Sequence, residues 1–154
     1  MEYLVEKRAD LEEKDDIGFT ATEYSSNDDI LRFLINHGGK IESISATFHH
    51  AASCGNLHMV KHLLEKMKAN VEDRNEVGQT AMHLSAYNSH EDVAKYLIVQ
   101  KAKVNAKDFE GRTPLLIASS GVFDNPEVPD LLIKNGSNVN VVDNQGMTAL
   151  HHAS

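Results

Sequence analysis

Histidines and one cysteine cluster in a short segment, and their spacing could suit a metal ion. His58 and His62 are four residues apart, which places them on one face of a helix, and His49, His50 and Cys54 lie just upstream. A structural zinc site requires four ligands and usually includes paired cysteines, whereas Cys54 is the only cysteine in the chain. We therefore expect no metal site and no cofactor, and we interpret these histidines as packed or hydrogen-bonding residues.

Serine, histidine and acidic side chains are common, but no pattern in the sequence brings them to one point. A hydrolase needs a nucleophile, a base and an orienting group that converge. The sequence contains no Gly-x-Ser-x-Gly, no phosphate-binding glycine loop and no His-Glu-x-x-His. Cys54 could be a reactive thiol, although a lone cysteine is more often a small packed residue. The sequence predicts that this protein is not an enzyme.

The composition is that of one ordinary folded domain. The chain has 154 residues, of which 41% are apolar and 25% charged, and its formal net charge of −8 disfavours nucleic-acid binding. No apolar run approaches the ~18 residues of a membrane span, and the first residues lack the layout of a signal peptide. A single cysteine permits no internal disulfide and is typical of a reducing compartment, so we predict a cytoplasmic protein.

The elements that must position these residues follow from an internal repeat. A nine-residue segment beginning at Gly78 returns at Gly111, 33 residues later, and at Gly146, 35 residues later. A fixed period in this range is typical of stacked-repeat proteins. In each copy a glycine turn precedes a threonine, such as Thr80 or Thr113, that can cap a short first helix. A second helix then carries apolar residues at a spacing of three to four.

The repeated motifs resemble ankyrin repeats. The resemblance rests on the Thr-Pro-Leu-x-x-Ala segment at 113–118, on Leu-Ile pairs in the second helices, and on Gly-Ser-Asn-Val-Asn at 136–140. It covers essentially the whole chain and implies an all-α, ankyrin-type repeat solenoid of helix-turn-helix units with β-hairpin-like loops. We expect a monomeric fragment of a longer array in which residues 1–154 form one domain. Its units are a half repeat at 1–14, repeats near 15–41, 42–74, 75–107 and 108–142, and a half repeat at 143–154.

Four departures from the family pattern are visible. The segment 41–46 predicts a shortened hairpin, and the first helix after Thr20, over about 21–27, is about three residues short. Met67 or Lys68 occupies the place where a glycine is usual, and 122–129 contains a two-residue insertion. That insertion is either a second contact site or a harmless length variant, because loop insertions cost little free energy. The last copy, 146–154, lacks a partner helix, and we predict that it frays.

The resemblance implies a binding face made of hairpin tips and the exposed edge of the first helices. Exposed apolar and aromatic residues there could be binding hot spots, or they could pack on neighbouring hairpins. Acids beside them favour a basic peptide segment with aromatic residues as ligand. The predicted partner-binding residues are Asp16, Ile17, Phe19, Glu76, Val77, Gln79, Tyr87, Asn88, Phe109, Glu110, Arg112, Ser120, Asn144, Gln145 and Met147, with Ser53 and Cys54 mapped to the same face.

Three functional interpretations follow. The first is a non-catalytic module that binds a protein or peptide through this concave face. The alternative is a targeting or regulatory scaffold segment of a larger multidomain enzyme, whose catalytic signature would lie outside these residues. A purely structural spacer is the third, and it predicts no preferred partner.

Overall fold

The computed structural model describes residues 10–120 and 126–152. In these ranges eight helices follow one another along the chain, and the only strand-like feature is an isolated antiparallel bridge between Lys14 and Thr20. The expected all-α solenoid is confirmed. The helices are α1 (Asp28–Asn36), α2 (Ile44–Cys54), α3 (Leu57–Glu65), α4 (Ala81–Tyr87), α5 (Glu91–Val99), α6 (Pro114–Ser119), α7 (Glu127–Lys134) and α8 (Ala149–His152).

The helices pack in two rows that run along the repeat. The first helices α2, α4, α6 and α8 contact one another in succession, and the second helices α3, α5 and α7 do the same. The first helices α2, α4 and α6 each also pack on the second helix that follows. The apolar stripe of each second helix closes the core between the rows, which is why helices of only six to eleven residues are stable here. The fully buried stripe residues are Met59, Val60, Leu63, Val93, Ala94, Leu97, Val128 and Leu132.

The helix starts that the threonines predict are found at α4 and α6. Thr80 is the N-cap of α4. Thr113 is the N-cap of α6, where its hydroxyl oxygen accepts from the Leu116 N–H, and Pro114 follows at the first helical position. Proline suits that position because its missing N–H would have had no partner in the helix.

The prediction of a first helix over 21–27 is wrong. Residues 21–24 form only a turn, in which the N–H groups of Glu23 and Tyr24 both donate to the Thr20 carbonyl. Asn27 is extended and caps α1 through its side chain, which accepts from the Ile30 N–H. Because Asn27 already begins the second helix, too few residues remain after Thr20 for a helix and a connecting loop.

The shortened hairpin expected at 41–46 is also absent. Ser43 caps α2, and the helix begins at Ile44 and runs for 11 residues, against seven in α4. Residues 44–46 thus extend the first helix toward its N-terminus and replace the hairpin. Its absence leaves a gap in the row of hairpins.

Two second-helix ends lack the glycine that is usual there. Lys68 and Lys101 adopt positive φ values of 58° and 67°, where Gly136 has 90° after α7. The left-handed conformation favours glycine, and a side chain costs free energy there. The sequence indicated Met67 or Lys68 for the first of these positions, which is Lys68, and it did not indicate Lys101.

Some expectations fall on parts of the chain outside this description. Residues 1–9, which are most of the first half repeat, and residues 121–125, which include the first half of the segment 122–129, lie outside the described residues. The contact role of that segment therefore stays a prediction. After it, α7 begins at Glu127 with Pro126 as N-cap. Among the helices of 10–120 and 126–152, none is long and apolar enough to cross a membrane.

Candidate functional site

Four hairpins with one hydrogen-bonding scheme form the exposed loops of the solenoid: hairpin A (15–20), B (75–80), C (108–113) and D (143–148). In each, the first residue's N–H donates to the carbonyl of the fifth residue, and its side-chain Oδ1 accepts from the N–H groups of the third and fifth residues. A short carboxylate or amide can bridge its own turn in this way. Each tip is therefore closed by the same three hydrogen bonds. The bridging residues are Asp15, Asn75, Asp108 and Asp143.

Histidines tie the first helices to the hairpins. The buried His83 ring accepts the Thr80 N–H at Nδ1 (3.1 Å), so its proton is on Nε2, which donates to the Arg112 carbonyl (3.1 Å). His49 makes the same contact to the Asp73 carbonyl (3.1 Å). Burial lowers the pKa of His83 and so favours the neutral ring that this pattern requires. The interpretation of His49 as a hydrogen-bonding histidine is confirmed.

Hairpins B, C and D are joined to one another and form what we call the hairpin row. The Phe109 N–H donates to the Val77 carbonyl (3.2 Å), and the Asn144 N–H donates to the Glu110 carbonyl (2.9 Å). Arg74 reinforces the first junction, because its Nη1 donates to the carbonyls of Gly78 and Lys107, both at 2.6 Å.

Apolar turn residues were expected either to contact a partner or to pack on a neighbouring hairpin, and the Phe109 ring is placed so that it can do both. It lies on Gly78, where a Cβ atom would come within 2.5 Å of the ring, and Gly78 has a φ of 81°. The side chain nevertheless stays 67% exposed. Phe109 is thus held in one place by the neighbouring hairpin while most of its surface stays available to a partner.

The predicted binding residues fall into two rows rather than one patch. Twelve lie at the tips of the hairpins: Asp16, Ile17, Phe19, Glu76, Val77, Gln79, Phe109, Glu110, Arg112, Asn144, Gln145 and Met147. Three lie at the other end of the first helices, where Tyr87 is the last residue of α4, Asn88 its C-cap, and Ser120 the C-cap of α6. Seven helical residues separate the two rows by about 10 Å.

An aromatic cluster beside hairpin A was not predicted. The Phe19 ring stacks on the His50 ring with centroids 4.2 Å apart, and the Tyr24 ring meets the His50 ring edge-on at 5.1 Å. The Tyr24 hydroxyl donates to Asp15 (2.5 Å), which raises the pKa of Tyr24 to about 12. Tyr24 lies four residues after Thr20, and His50 lies four residues after Ala46, the same spacing that separates Leu84 from Thr80. Tyr24 and His50 therefore occupy equivalent positions in neighbouring units, and this alignment could have indicated that they meet.

Charge on the hairpin tips is unevenly neutralised. Arg112 pairs with Glu110 (3.0 Å) and with the buried carboxylate of Asp108 (2.8 Å). Within the part of the chain described, the exposed Asp16 and Glu76 have no ion pair. Hairpins A and B thus offer uncompensated negative charge, whereas hairpin C does not.

The histidine and cysteine segment shows no reactive arrangement. Cys54 Sγ lies 3.5 Å from His50 Nε2, and burial raises the pKa of Cys54 and lowers that of His50. Both shifts favour the neutral thiol and imidazole. His58 and His62 lie on α3. Over 10–120 and 126–152 no three His, Cys, Asp or Glu side chains are grouped to hold a metal ion.

A cavity of about 470 Å³ lies beside hairpin B. Its walls are the first turns of α2, with Ser43, Ser45, Ala46 and His49, and the segment 74–77. It lies in the space left by the hairpin that is missing before α2.

A two-row helical stack with regularly spaced, hydrogen-bonded hairpins defines a repeat-solenoid protein. The family described as ankyrin repeats (3 copies) matches residues 44–108 and 98–154. The chain belongs to the ankyrin repeat family. Ankyrin repeats generally mediate protein–protein interaction.

Relatives with this repeat differ widely in size. Alpha-latrocrustotoxin-Lt1a of Latrodectus tredecimguttatus is 36% identical over 126 residues, which are 77% of this chain and 9% of the toxin. Tyrosine-protein kinase Shark of Drosophila melanogaster is 34% identical over 90 residues, 58% of this chain and 10% of the kinase. The probable 26S proteasome regulatory subunit p28 of Saccharomyces cerevisiae is 36% identical over 108 residues, 69% of this chain and 46% of the subunit. The chain spans about a tenth of the first two and under half of the third.

Proposed function

We propose that this chain binds a protein partner noncovalently through the face formed by the hairpin tips and the ends of the first helices, without catalysis. The observation that carries the proposal is the preorganisation of exposed apolar groups. Ile17, Val77 and Phe109 are 63%, 51% and 67% exposed, and each stands on a hairpin fixed by the same hydrogen bonds. A rigid surface loses little conformational entropy on binding.

The charge of this face favours a basic segment with aromatic residues as ligand. Asp16 and Glu76 are exposed near Ile17 and Val77, so a lysine or arginine could pair with the acid while a ring contacts the apolar group. We propose that the chain acts as a monomer in the reducing cytoplasm, which suits a protein with one cysteine.

Alanine substitutions test the binding face. Partners captured by the purified chain under defined conditions are compared for the wild type, Tyr87→Ala, Phe109→Ala and Val99→Ala. Val99 is the matched control because it is 68% exposed but lies at the end of the second helix α5, away from the hairpins. We expect both first variants to lose a partner that Val99→Ala retains. If Tyr87→Ala and Phe109→Ala retain every partner, the proposed face is wrong, and absence of any preferred partner supports a structural spacer.

A second candidate is a targeting or regulatory segment within a larger protein. The size of the relatives supports it, because the matched region is a tenth of a tyrosine kinase and nearly half of a proteasome regulatory subunit. In that case the binding face brings a substrate or regulator to another domain. A kinase, ligase or hydrolase signature in the flanking sequence of the natural protein would favour this candidate over an independent binding module.

A further inference from the structure

The hairpin row stops at hairpin B because the next hairpin toward the N-terminus is missing. The chain from Gly38 to Ala46 is four residues shorter than the chain from Lys68 to Thr80, which occupies the same place in the next unit (8 against 12). In place of the missing hairpin, residues 44–46 form the start of α2. We call the space between hairpin A and hairpin B the hairpin gap.

The register of the existing junctions shows which groups face this gap. At both junctions the second residue of one hairpin, Phe109 or Asn144, donates its N–H to the carbonyl of the third residue in the preceding hairpin. The second residue of hairpin B is Glu76, and the third residue of hairpin A is Ile17. Among the described residues no group accepts the Glu76 N–H, and no backbone N–H donates to the Ile17 carbonyl. Hairpin B therefore has an open edge of the kind that accepts an added strand.

The surroundings of the open edge provide space and an unpaired carboxylate. The 470 Å³ cavity lies between the Glu76 side of hairpin B and the first turns of α2. The Glu76 carboxylate is exposed and has no ion pair within the described ranges. Arg74 is the cation that lines the same cavity, and its Nη1 donates to the Gly78 and Lys107 carbonyls rather than to Glu76. An incoming segment therefore meets one unpaired acid next to an unpaired backbone donor.

We propose that an extended, basic segment of a partner protein fills the hairpin gap by adding to the edge of hairpin B. One carbonyl of this segment accepts from the Glu76 N–H, as the Val77 carbonyl does from Phe109, and a lysine or arginine beside it pairs with the Glu76 carboxylate. This inference deepens the proposed function and rests on it, because it assigns one anchor point and the chemical class of the partner segment.

A proline substitution tests the hydrogen bond separately from the charge. Glu76 is the second residue of a turn closed by the Gly78 N–H and the Asn75 carbonyl, a position where proline is favoured. Glu76→Pro removes the N–H and the carboxylate, and Glu76→Gln removes only the charge. The probe is a backbone-cyclised peptide that copies residues 73–80 and carries Glu76→Lys, because it presents the Val77 carbonyl in the register seen at the next junction.

We expect the peptide to shift and protect the Glu76 amide in NMR titrations of the wild-type chain, while the Phe109 and Asn144 amides stay unchanged. Affinity should fall about tenfold in Glu76→Pro and about threefold in Glu76→Gln, as the loss of one charge-assisted contact implies. Thermal melting of both variants confirms that they are folded. Equal affinity of Glu76→Pro and wild type overturns the proposal, as does a peptide footprint on Phe109 alone.

A hairpin graft separates this inference from the proposed function. Replacing residues 43–45 with a copy of 73–79 restores the four missing residues and should fill the gap from within the chain. The graft should protect the Glu76 amide and abolish peptide binding. A partner that still binds the graft but is lost on Tyr87→Ala supports the binding face and overturns strand addition. Concentration-dependent dimers that Glu76→Pro abolishes would make the occupant a second copy of the chain, which also overturns the proposal.

Discussion

Two junctions of the same solenoid are held together by different kinds of bonds. In the hairpin row, between B, C and D, the contacts that join neighbouring units are backbone hydrogen bonds and the Arg74 bridge. Between hairpin A and α2 the corresponding backbone bonds are absent from the described structure. Side chains join the two units there, with Glu23 accepting from the Thr47 hydroxyl at 2.6 Å and Asn56 donating to the Ser25 carbonyl at 3.0 Å.

The difference can be traced to one repeated position. Hairpins A and B each end in a threonine, and the residue three positions later is Glu23 after hairpin A and His83 after hairpin B. Both side chains accept the N–H of their threonine. His83 then reaches a carbonyl of the next hairpin. Glu23 has no next hairpin to reach, and its second oxygen binds Thr47 on α2 instead. The carboxylate is suited to this junction because its partner is a hydroxyl donor, whereas a carbonyl partner requires an N–H.

The largest expected effect comes from breaking the N-terminal junction. Glu23 is buried and accepts from the Thr20 N–H, the Thr20 hydroxyl and the Thr47 hydroxyl, so Glu23→Ala leaves three buried donors unsatisfied. We expect a loss of about 2–4 kcal/mol in the free energy of unfolding, measured by urea titration. Glu23→Gln, which retains an acceptor oxygen, should lose less than half of that. Equal losses in the two variants would show that the carboxylate charge, rather than hydrogen bonding, holds this junction.

Breaking the hairpin row should cost less, because its bonds lie nearer the surface. Arg74→Met keeps most of the side-chain length but removes the donor to the Gly78 and Lys107 carbonyls, and we expect a loss of about 1–2 kcal/mol. Arg74→Lys should recover part of it. Hydrogen exchange should show the added opening at hairpins B and C and leave α2 unchanged. Faster exchange at α2 instead would contradict the prediction that the two junctions open independently of each other.

A pH series tests the His83 contact of the hairpin row without a large structural change. Burial holds the pKa of His83 below its ordinary value near 6.5, so the unfolded chain takes up the proton more readily than the folded one. The stability that the neutral ring contributes is therefore complete above about pH 6.5 and is lost as the pH falls below it. Comparison of unfolding midpoints for wild type and His83→Gln between about pH 7.5 and 5 should show a shallower decline in the variant. If the unfolding midpoints of the two proteins decline in parallel, protonation of His83 does not contribute to the pH dependence of stability.

The smallest expected effect concerns the ends of the second helices, where Lys101 stands in place of a glycine. Lys101→Gly should raise the free energy of unfolding by about 0.5–1 kcal/mol, because glycine adopts the left-handed conformation without the cost that a side chain adds. Lys101→Ala, which keeps a Cβ atom, should give no gain. The melting temperatures of the two variants provide the measurement, and a gain with alanine would show that charge rather than backbone conformation matters there.

The sequence was most informative where the units are most alike. The recurrence at Gly78, Gly111 and Gly146 predicted the hairpins, and Thr80 and Thr113 predicted the helix starts, because turn and cap chemistry is local. Hairpin-to-hairpin bonds could not be predicted, since they depend on how neighbouring units are registered in space.

The errors lie where two local signals compete. Ser43 is a good N-cap, but the expectation of a hairpin before Ala46 hid it, and Asn27 begins α1 where the expected first helix would have ended. The binding residues were chosen from the family pattern, and their role remains a proposal. The pattern also omitted Tyr24 and His50, whose ring contacts depend on the conformation of hairpin A.

Amide hydrogen exchange at three equivalent backbone positions tests the interrupted hairpin row most directly. Phe109 and Asn144 donate to carbonyls of the preceding hairpin, and Glu76, at the same position of hairpin B, has no acceptor within the described structure. We predict slow exchange at Phe109 and Asn144 and fast exchange at Glu76 in the isolated chain. Equal protection at all three amides would contradict the open edge, and fast exchange at all three would contradict the row itself.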